Sequence, residues 1–371
     1  MGPESLRARL DLLAIAASLG LLALLGGVSP TPAMAAPAWL APLDLSAPGQ
    51  DATEPSVVAD SSGGVAAVWS RDDGSHTVIQ SASRPAGGGW SPAVDLSAAG
   101  GDAAEPRIVV DSLGDLTAVW SRSDGSHTII QSSSRPAEGA WSPPLDLSAH
   151  GRDASDPQLA VGPGGDVVAV WRRFDGFDQR IQAAIRPRGG AWPPAVDIST
   201  AGENAGEPRV AFGPAVAVAV WSRLGSSTVI QSSSGSPGGG WTPAGDVSEG
   251  GAEEPEVAVD GAGAATAVWS RSDGSDLIVQ NAEAHAGGPW SAPLDLSEPG
   301  RDATEPALAV DAAGDATAVW SRLTTGSFSV VQSSSRSAGG AWSQAANISA
   351  DELCTAVEPE VSAAPTGEKV A

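Results

Sequence analysis

All thirteen tryptophans of the chain fall into two series whose steps run from 48 to 52 residues. One series is Trp69, Trp120, Trp171, Trp221, Trp269 and Trp320. The other is Trp39, Trp90, Trp141, Trp192, Trp241, Trp290 and Trp342. A period of this length marks a repeat architecture, in which one supersecondary unit buries its apolar face only by stacking on its neighbours.

The copy that opens at Trp90 shows the unit. Residues 90–97 read as strand A, and a loop then runs through Glu105 to Pro106. Residues 107–111 read as strand B, 116–122 as strand C and 127–135 as strand D, with a turn at 136–139 back to Trp141. The segments are short, rich in β-branched residues and bounded by Gly, Pro, Asp or Ser, which reads as strand rather than helix. Asp-x-x-Gly and Asp-Gly turns supply the positive φ of tight hairpins. The A–B connection is the longest and ends on a recurring proline: Pro55, Pro106, Pro157, Pro208, Pro255, Pro306 and Pro359. Proline can open a strand but cannot sit inside a central one. The loop is therefore read as leaving the outer strand of one sheet for the inner strand of the next, which gives sheets ordered B-C-D-A with B on a central channel.

The expected fold is all-β, a β-propeller of four-stranded antiparallel blades with six complete repeats plus a partial seventh. Repeats begin near 39, 90, 141, 192, 241 and 290, and the partial one begins at 342. Six complete blades with some overlap of the chain ends is the preferred closure. A seventh, incomplete blade built from both ends is the second closure, and an open stack of sheets is the alternative architecture.

Residues 1–35 read as a secretory signal peptide. Arg7 and Arg9 precede an uncharged apolar run at 12–25, and Ala33-Met34-Ala35 makes a small-residue cleavage site. Fourteen apolar residues fall short of the roughly 20 that span a bilayer. The remaining 36–371 are expected to form one propeller domain, secreted or extracellular, without membrane insertion. The net charge of −24 disfavours nucleic acid as a partner. The single cysteine, Cys354, leaves no internal disulfide.

Two repeated positions are candidate ligand-binding residues. An arginine follows the strand C tryptophan (Arg71, Arg122, Arg173, Arg223, Arg271, Arg322). A carboxylate precedes the strand B proline (Glu54, Glu105, Asp156, Glu207, Glu254, Glu305). The plain expectation is a repeated Arg–carboxylate bridge, and the functional one is a site between blades. A further series, Asp51, Asp102, Asp153, Asn204 and Asp302, forms an acidic rim. Its spacing matches no trusted calcium pattern, so neither metal nor cofactor is assigned. Strand C tryptophans are expected in the core between sheets, and strand A tryptophans as hairpin caps or stacking platforms. Copy three departs from the repeat at Arg172, Phe174, Phe177 and Arg180, which makes it the first place to look for a unique site.

Residues 306–320, Pro-x-Leu-Ala-Val-Asp-x-x-Gly-x-Ala-x-Ala-Val-Trp, resemble uncharacterised secreted bacterial tandem-repeat propellers of the sialidase-like superfamily. The resemblance covers 39–371 and implies the fold more than an activity. The Ser-x-Asp-x-Gly-x-x-Trp box of sialidases is not cleanly reproduced. A tyrosine nucleophile is excluded because the chain has no tyrosine. No catalytic residue is assigned. The first functional reading is a non-enzymatic binding or surface-interaction scaffold, with glycans or a cell-surface protein as partner. The alternative is a multivalent carbohydrate-binding lectin with sites between blades, and a glycoside hydrolase is the distant third.

Overall fold

A computed structural model of the protein describes residues 41–324, 328–349, 356–363 and 369–370. The expected signal peptide, Trp39 and Cys354 lie outside them. Among the described residues are six four-stranded antiparallel sheets and one two-stranded hairpin. In the first sheet β1 (Ala52–Ala59), β2 (Val65–Asp72), β3 (Thr77–Arg84) and β4 (Val94–Asp95) lie side by side in that order. This is the expected B-C-D-A blade, and five more follow. Inner strands Ala103–Val110, Ala154–Val161, Asn204–Phe212, Ala252–Val259 and Ala303–Val310 each pack beside the one before. The partial copy forms a hairpin, Ser362–Ala363 with Lys369–Val370, beside the inner strand of blade 6. Its Glu360 faces the same central channel as Ser56 of blade 1, so the hairpin occupies a seventh inner position. No helix among the described residues is long and apolar enough to cross a membrane.

Two strand boundaries differ from expectation. Strand A shrinks to two paired residues in every blade, including the sixth, which carries no proline after its tryptophan. Strand B starts earlier, at Ala103 rather than Arg107. It crosses Pro106 by a β-bulge: Ala104 faces Ser121 while Arg107 faces Val119, one extra residue on the inner strand.

The strand C tryptophans form the core between blades, as their spacing implies. Trp120, Trp171, Trp221, Trp269 and Trp320 are fully buried. Trp120 of blade 2 packs with Val68 and Ile79 of blade 1, and Trp171 of blade 3 with Val119 and Ile130 of blade 2. A buried indole N–H needs an acceptor. Trp120 Nε1 donates to Gln131 Oε1 at 3.2 Å, and Gln131 Nε2 donates to Asp146 Oδ1 at 2.7 Å. The same relay recurs at Trp171–Gln182–Asp197 and Trp269–Gln280–Asp295. Thus the Val-Asp-Leu-Ser motif of the outer strand ties three strands of a blade together.

Candidate functional site

The carboxylates before the strand B proline sit at the bulge in a left-handed backbone conformation. Glu54, Glu105, Asp156, Glu207, Glu254, Glu305 and Glu358 have φ between 52° and 57°. That conformation costs a non-glycine residue about 1–2 kcal/mol, and the side chains show what offsets it. Glu254 Oε2 accepts from Ser270 Oγ at 2.9 Å within its blade and from the Glu305 backbone N–H at 2.8 Å in the next. Glu54 does the same with Ser70 and Glu105, and Glu305 with Ser321 and Glu358. The carboxylates form an inter-blade ladder around the inner ring. Asp156 is one methylene shorter, and it pairs instead with Arg172 at 3.2 Å, where other blades carry serine. Burial pushes the Glu105 carboxyl above its ordinary range.

The expected bridge between these carboxylates and the strand C arginines is not formed. Arg71, Arg122, Arg173 and Arg322 donate instead to the A–B loop carbonyls of Ala47, Ala98, Ala149 and Glu298. Arg223 meets Glu203 at 3.5 Å, and Arg271 meets Glu249 at 2.9 Å, both on that loop. The bulge explains the difference: it turns each carboxylate toward the next blade, while the arginine two strand positions after the tryptophan clamps the long loop. The acidic rim is also engaged within the fold. Asp102, Asp153 and Asp302 accept the N–H that opens strand D of the preceding blade, and Asn204 does so equally well through its amide oxygen at 2.9 Å.

The strand A tryptophans are half-buried, and four carry a partner that the sequence reading missed. The last arginine of strand D lies over the indole: Arg84 over Trp90 at 5.8 Å, Arg135 over Trp141 at 5.7 Å, Arg186 over Trp192 at 5.1 Å and Arg336 over Trp342 at 5.5 Å. The signal was available as an arginine six residues before each of these tryptophans. Three of these arginines also reach the preceding blade. Arg135 donates to Ser83, Arg186 to Ser134 and Thr117, and Arg336 to Thr266. Arg84 has no hydrogen bond or ion pair among the described residues. In blade 4 the arginine position is Gly235, and Trp241 lies directly over its backbone. In blade 5 it is Ala284, and Trp290 donates to Ser232 of blade 4 instead.

Between blades 1 and 2 these residues border a cleft of about 400 Å³ lined by Asp60, Ser62, Ser83, Arg84, Arg135 and Glu138 among apolar neighbours. Asp60 Oδ1 accepts from the Ser62 hydroxyl and from backbone N–H groups of its turn. The Ser62 hydroxyl leads in holding its carboxyl below the ordinary range.

A second cavity, about 410 Å³, occupies the central channel. It is lined by the residue after each inner-strand proline: Ser56, Arg107, Gln158, Arg209, Glu256 and Glu360, with Ala307 at the remaining position of the column. Here the repeat symmetry breaks. Arg209 Nε meets Glu256 Oε1 at 2.6 Å. Arg107 donates to Gln158 at 3.4 Å and to its neighbouring Pro106 carbonyl at 3.0 Å. Burial raises the Glu256 and Glu360 carboxyls, and it lowers the Arg107 guanidinium.

Copy three brings Phe177 to a turn tip, where it is 90% exposed, while Phe174 packs under Arg152 at 6.0 Å. Arg180 is buried and bonds the Ser199 carbonyl. None of these residues lines either of the two cavities.

No protein-family model matches the chain, and no curated protein matches it. Solved structures do match. A lectin from Burkholderia pseudomallei is 15% identical, with a TM-score of 0.62, over 84% of this chain and 88% of the lectin. An ulvan lyase of a polysaccharide lyase family is 10% identical, with a TM-score of 0.51, over 81% of this chain and 83% of the lyase. An α-L-arabinanase from Penicillium chrysogenum is 14% identical, with a TM-score of 0.48, over 77% and 93%. At these identities the likeness establishes the β-propeller fold and nothing finer.

Proposed function

We propose that the protein is an exported, non-enzymatic binding propeller that recognises glycans in the clefts between blades. One observation carries this reading: the Arg84–Trp90 and Arg135–Trp141 stacks beside the polar cleft of blades 1 and 2. A sugar offers hydroxyls that both donate and accept, and a weakly polar C–H face. Asp60 and Glu138 supply acceptors, Arg84 supplies donors that have no hydrogen-bond partner among the described residues, and Val58, Val110 and Leu113 supply apolar surface. Export is supported by the order of basic, apolar and small residues at 1–35. A lectin and an ulvan lyase among the proteins of similar fold are consistent with a glycan as ligand.

The test is a glycan array on the mature protein, followed by calorimetry on the hits. Arg84→Gln is expected to weaken binding at least about tenfold with little change in thermal midpoint, because Arg84 makes no hydrogen bond or ion pair among the described residues and its stack on Trp90 contributes only about 0.5–1 kcal/mol. No binding at ~10 mM sugar would remove the reading. Turnover of chromogenic glycosides would replace it with a hydrolase.

A further inference from the structure

We propose that the central channel is a second, unique binding site, and that its ligand is a small zwitterion carrying an ammonium and a carboxylate, such as a free α-amino acid. The argument starts from the column of residues after the inner-strand prolines. Those residues are about fifty positions apart in sequence, yet they line one cavity of about 410 Å³, within the usual size of small-molecule sites (roughly 300–1,000 Å³). Two of the four charges there satisfy each other, since Arg209 is paired with Glu256 at 2.6 Å.

The other two do not. Arg107 uses Nε on the Gln158 amide and Nη1 on a backbone carbonyl, and its Nη2 has no partner among the described residues. The Glu360 carboxylate likewise has no hydrogen bond or ion pair among them, although it feels both Arg107 and Arg209 electrostatically. An arginine and a carboxylate that face one cavity, and are not joined to each other, offer a charge of each sign to a ligand. A lone anion would satisfy Arg107 and repel Glu360, and a lone cation would do the reverse. A molecule bearing both charges satisfies both, with its carboxylate on Arg107 and its ammonium on Glu360. The cavity contains no tryptophan or phenylalanine, so it lacks the aromatic walls that suit a quaternary ammonium.

Isothermal titration of the mature protein with glycine, L-alanine and L-glutamine tests this, with acetate, methylammonium and glucose as single-feature controls. The expected result is that a zwitterion binds at least about tenfold tighter than acetate or methylammonium. Glu360→Gln and Arg107→Gln should each lose about tenfold or more, with the thermal midpoint unchanged in Glu360→Gln, which is isosteric and breaks no bond of the fold. Arg84→Gln, in the blade 1–2 cleft, should leave this binding intact. Failure of the glycan reading is thereby separated from failure of this one. Equal affinity for acetate and alanine, tighter binding of glucose, or no heat up to ~10 mM zwitterion would each overturn the proposal.

Discussion

The carboxylate ladder makes a quantitative prediction at Glu254. Its Oε2 accepts two hydrogen bonds, from Ser270 and from the backbone of Glu305 in the next blade. Bonds to a charged acceptor contribute about 1.5–3 kcal/mol each, and less where water reaches them. Glu254→Ala should therefore cost about 2–4 kcal/mol, because it removes the acceptor of both bonds and keeps a Cβ at φ 55°. Glu254→Gly removes the same acceptors but relieves the left-handed strain of about 1–2 kcal/mol, partly offset by added chain entropy of about 0.5–1 kcal/mol. It should be the milder substitution of the two. Asp156 is the internal control. Among the described residues it makes no bond to the next blade; its carboxylate pairs with Arg172, half-exposed, and lies against the like-charged Glu105, so Asp156→Ala should cost under about 1 kcal/mol. The double change Asp156→Glu with Arg172→Ser restores the residue types of the other blades and should stabilise by about 1–2 kcal/mol. Urea unfolding followed by tryptophan fluorescence measures all four. The ladder argument fails if Glu254→Ala and Asp156→Ala cost the same, or if glycine at 254 is worse than alanine.

Other positions give shorter tests. Trp269→Ala should cost about 3–5 kcal/mol in the same assay, since it opens a cavity between blades 4 and 5 and orphans Gln280. Asn204→Asp should be nearly neutral, because aspartate makes the same bond in neighbouring blades, whereas Asn204→Ala should cost about 1 kcal/mol. Gly235→Ala should destabilise by about 1–3 kcal/mol, because its Cβ would lie 2.6 Å from the Trp241 ring. His150 is held between Asp124 and Asp146, each at 2.9 Å, and the Asp124 carboxylate leads in raising its pKa. The contribution of these pairs is then fully present below the free imidazole value of about 6.5 and is lost as pH rises through the raised folded value. An NMR titration should place His150 above that free value, and Asp124→Asn should lower it; a midpoint unmoved by that change would refute the assignment.

How far the sequence could be read depended on whether a residue's role repeats. Trp120 and Trp171 are buried for the same reason in every blade, so their spacing disclosed the stack, while the repeated turns and the proline before strand B disclosed the strand order and the channel-facing strand. Glu105 and Arg122 repeat just as strictly, and their positions were found, but not their partners. The bulge at Glu105 shifts the register by one residue, and a one-residue shift turns a side chain to the opposite face. Arg84 and Arg135 were passed over because they close a strand that reads as serine-rich.

The channel column was hidden for a different reason. Ser56, Arg107, Gln158, Arg209, Glu256, Ala307 and Glu360 each look like an ordinary residue after a proline, and only a closed ring brings them together. Ring geometry itself forbids one charge at every position, since seven guanidinium or seven carboxylate groups would crowd a single cavity. That explains why the column varies, but not why it is charged. Ser56 and Ala307 show that small neutral residues are accommodated there, and a ring of them would avoid gathering four charges around one cavity. Charges kept at such a place, two paired and two left open, are what a binding site requires and what a purely architectural repeat would omit. Glu360→Ala together with Arg107→Ala should thus cost no more than the loss of the Arg107 bonds to Gln158 and Pro106, about 1 kcal/mol, while abolishing zwitterion binding. A marked loss of stability in that double variant would return the column to the scaffold.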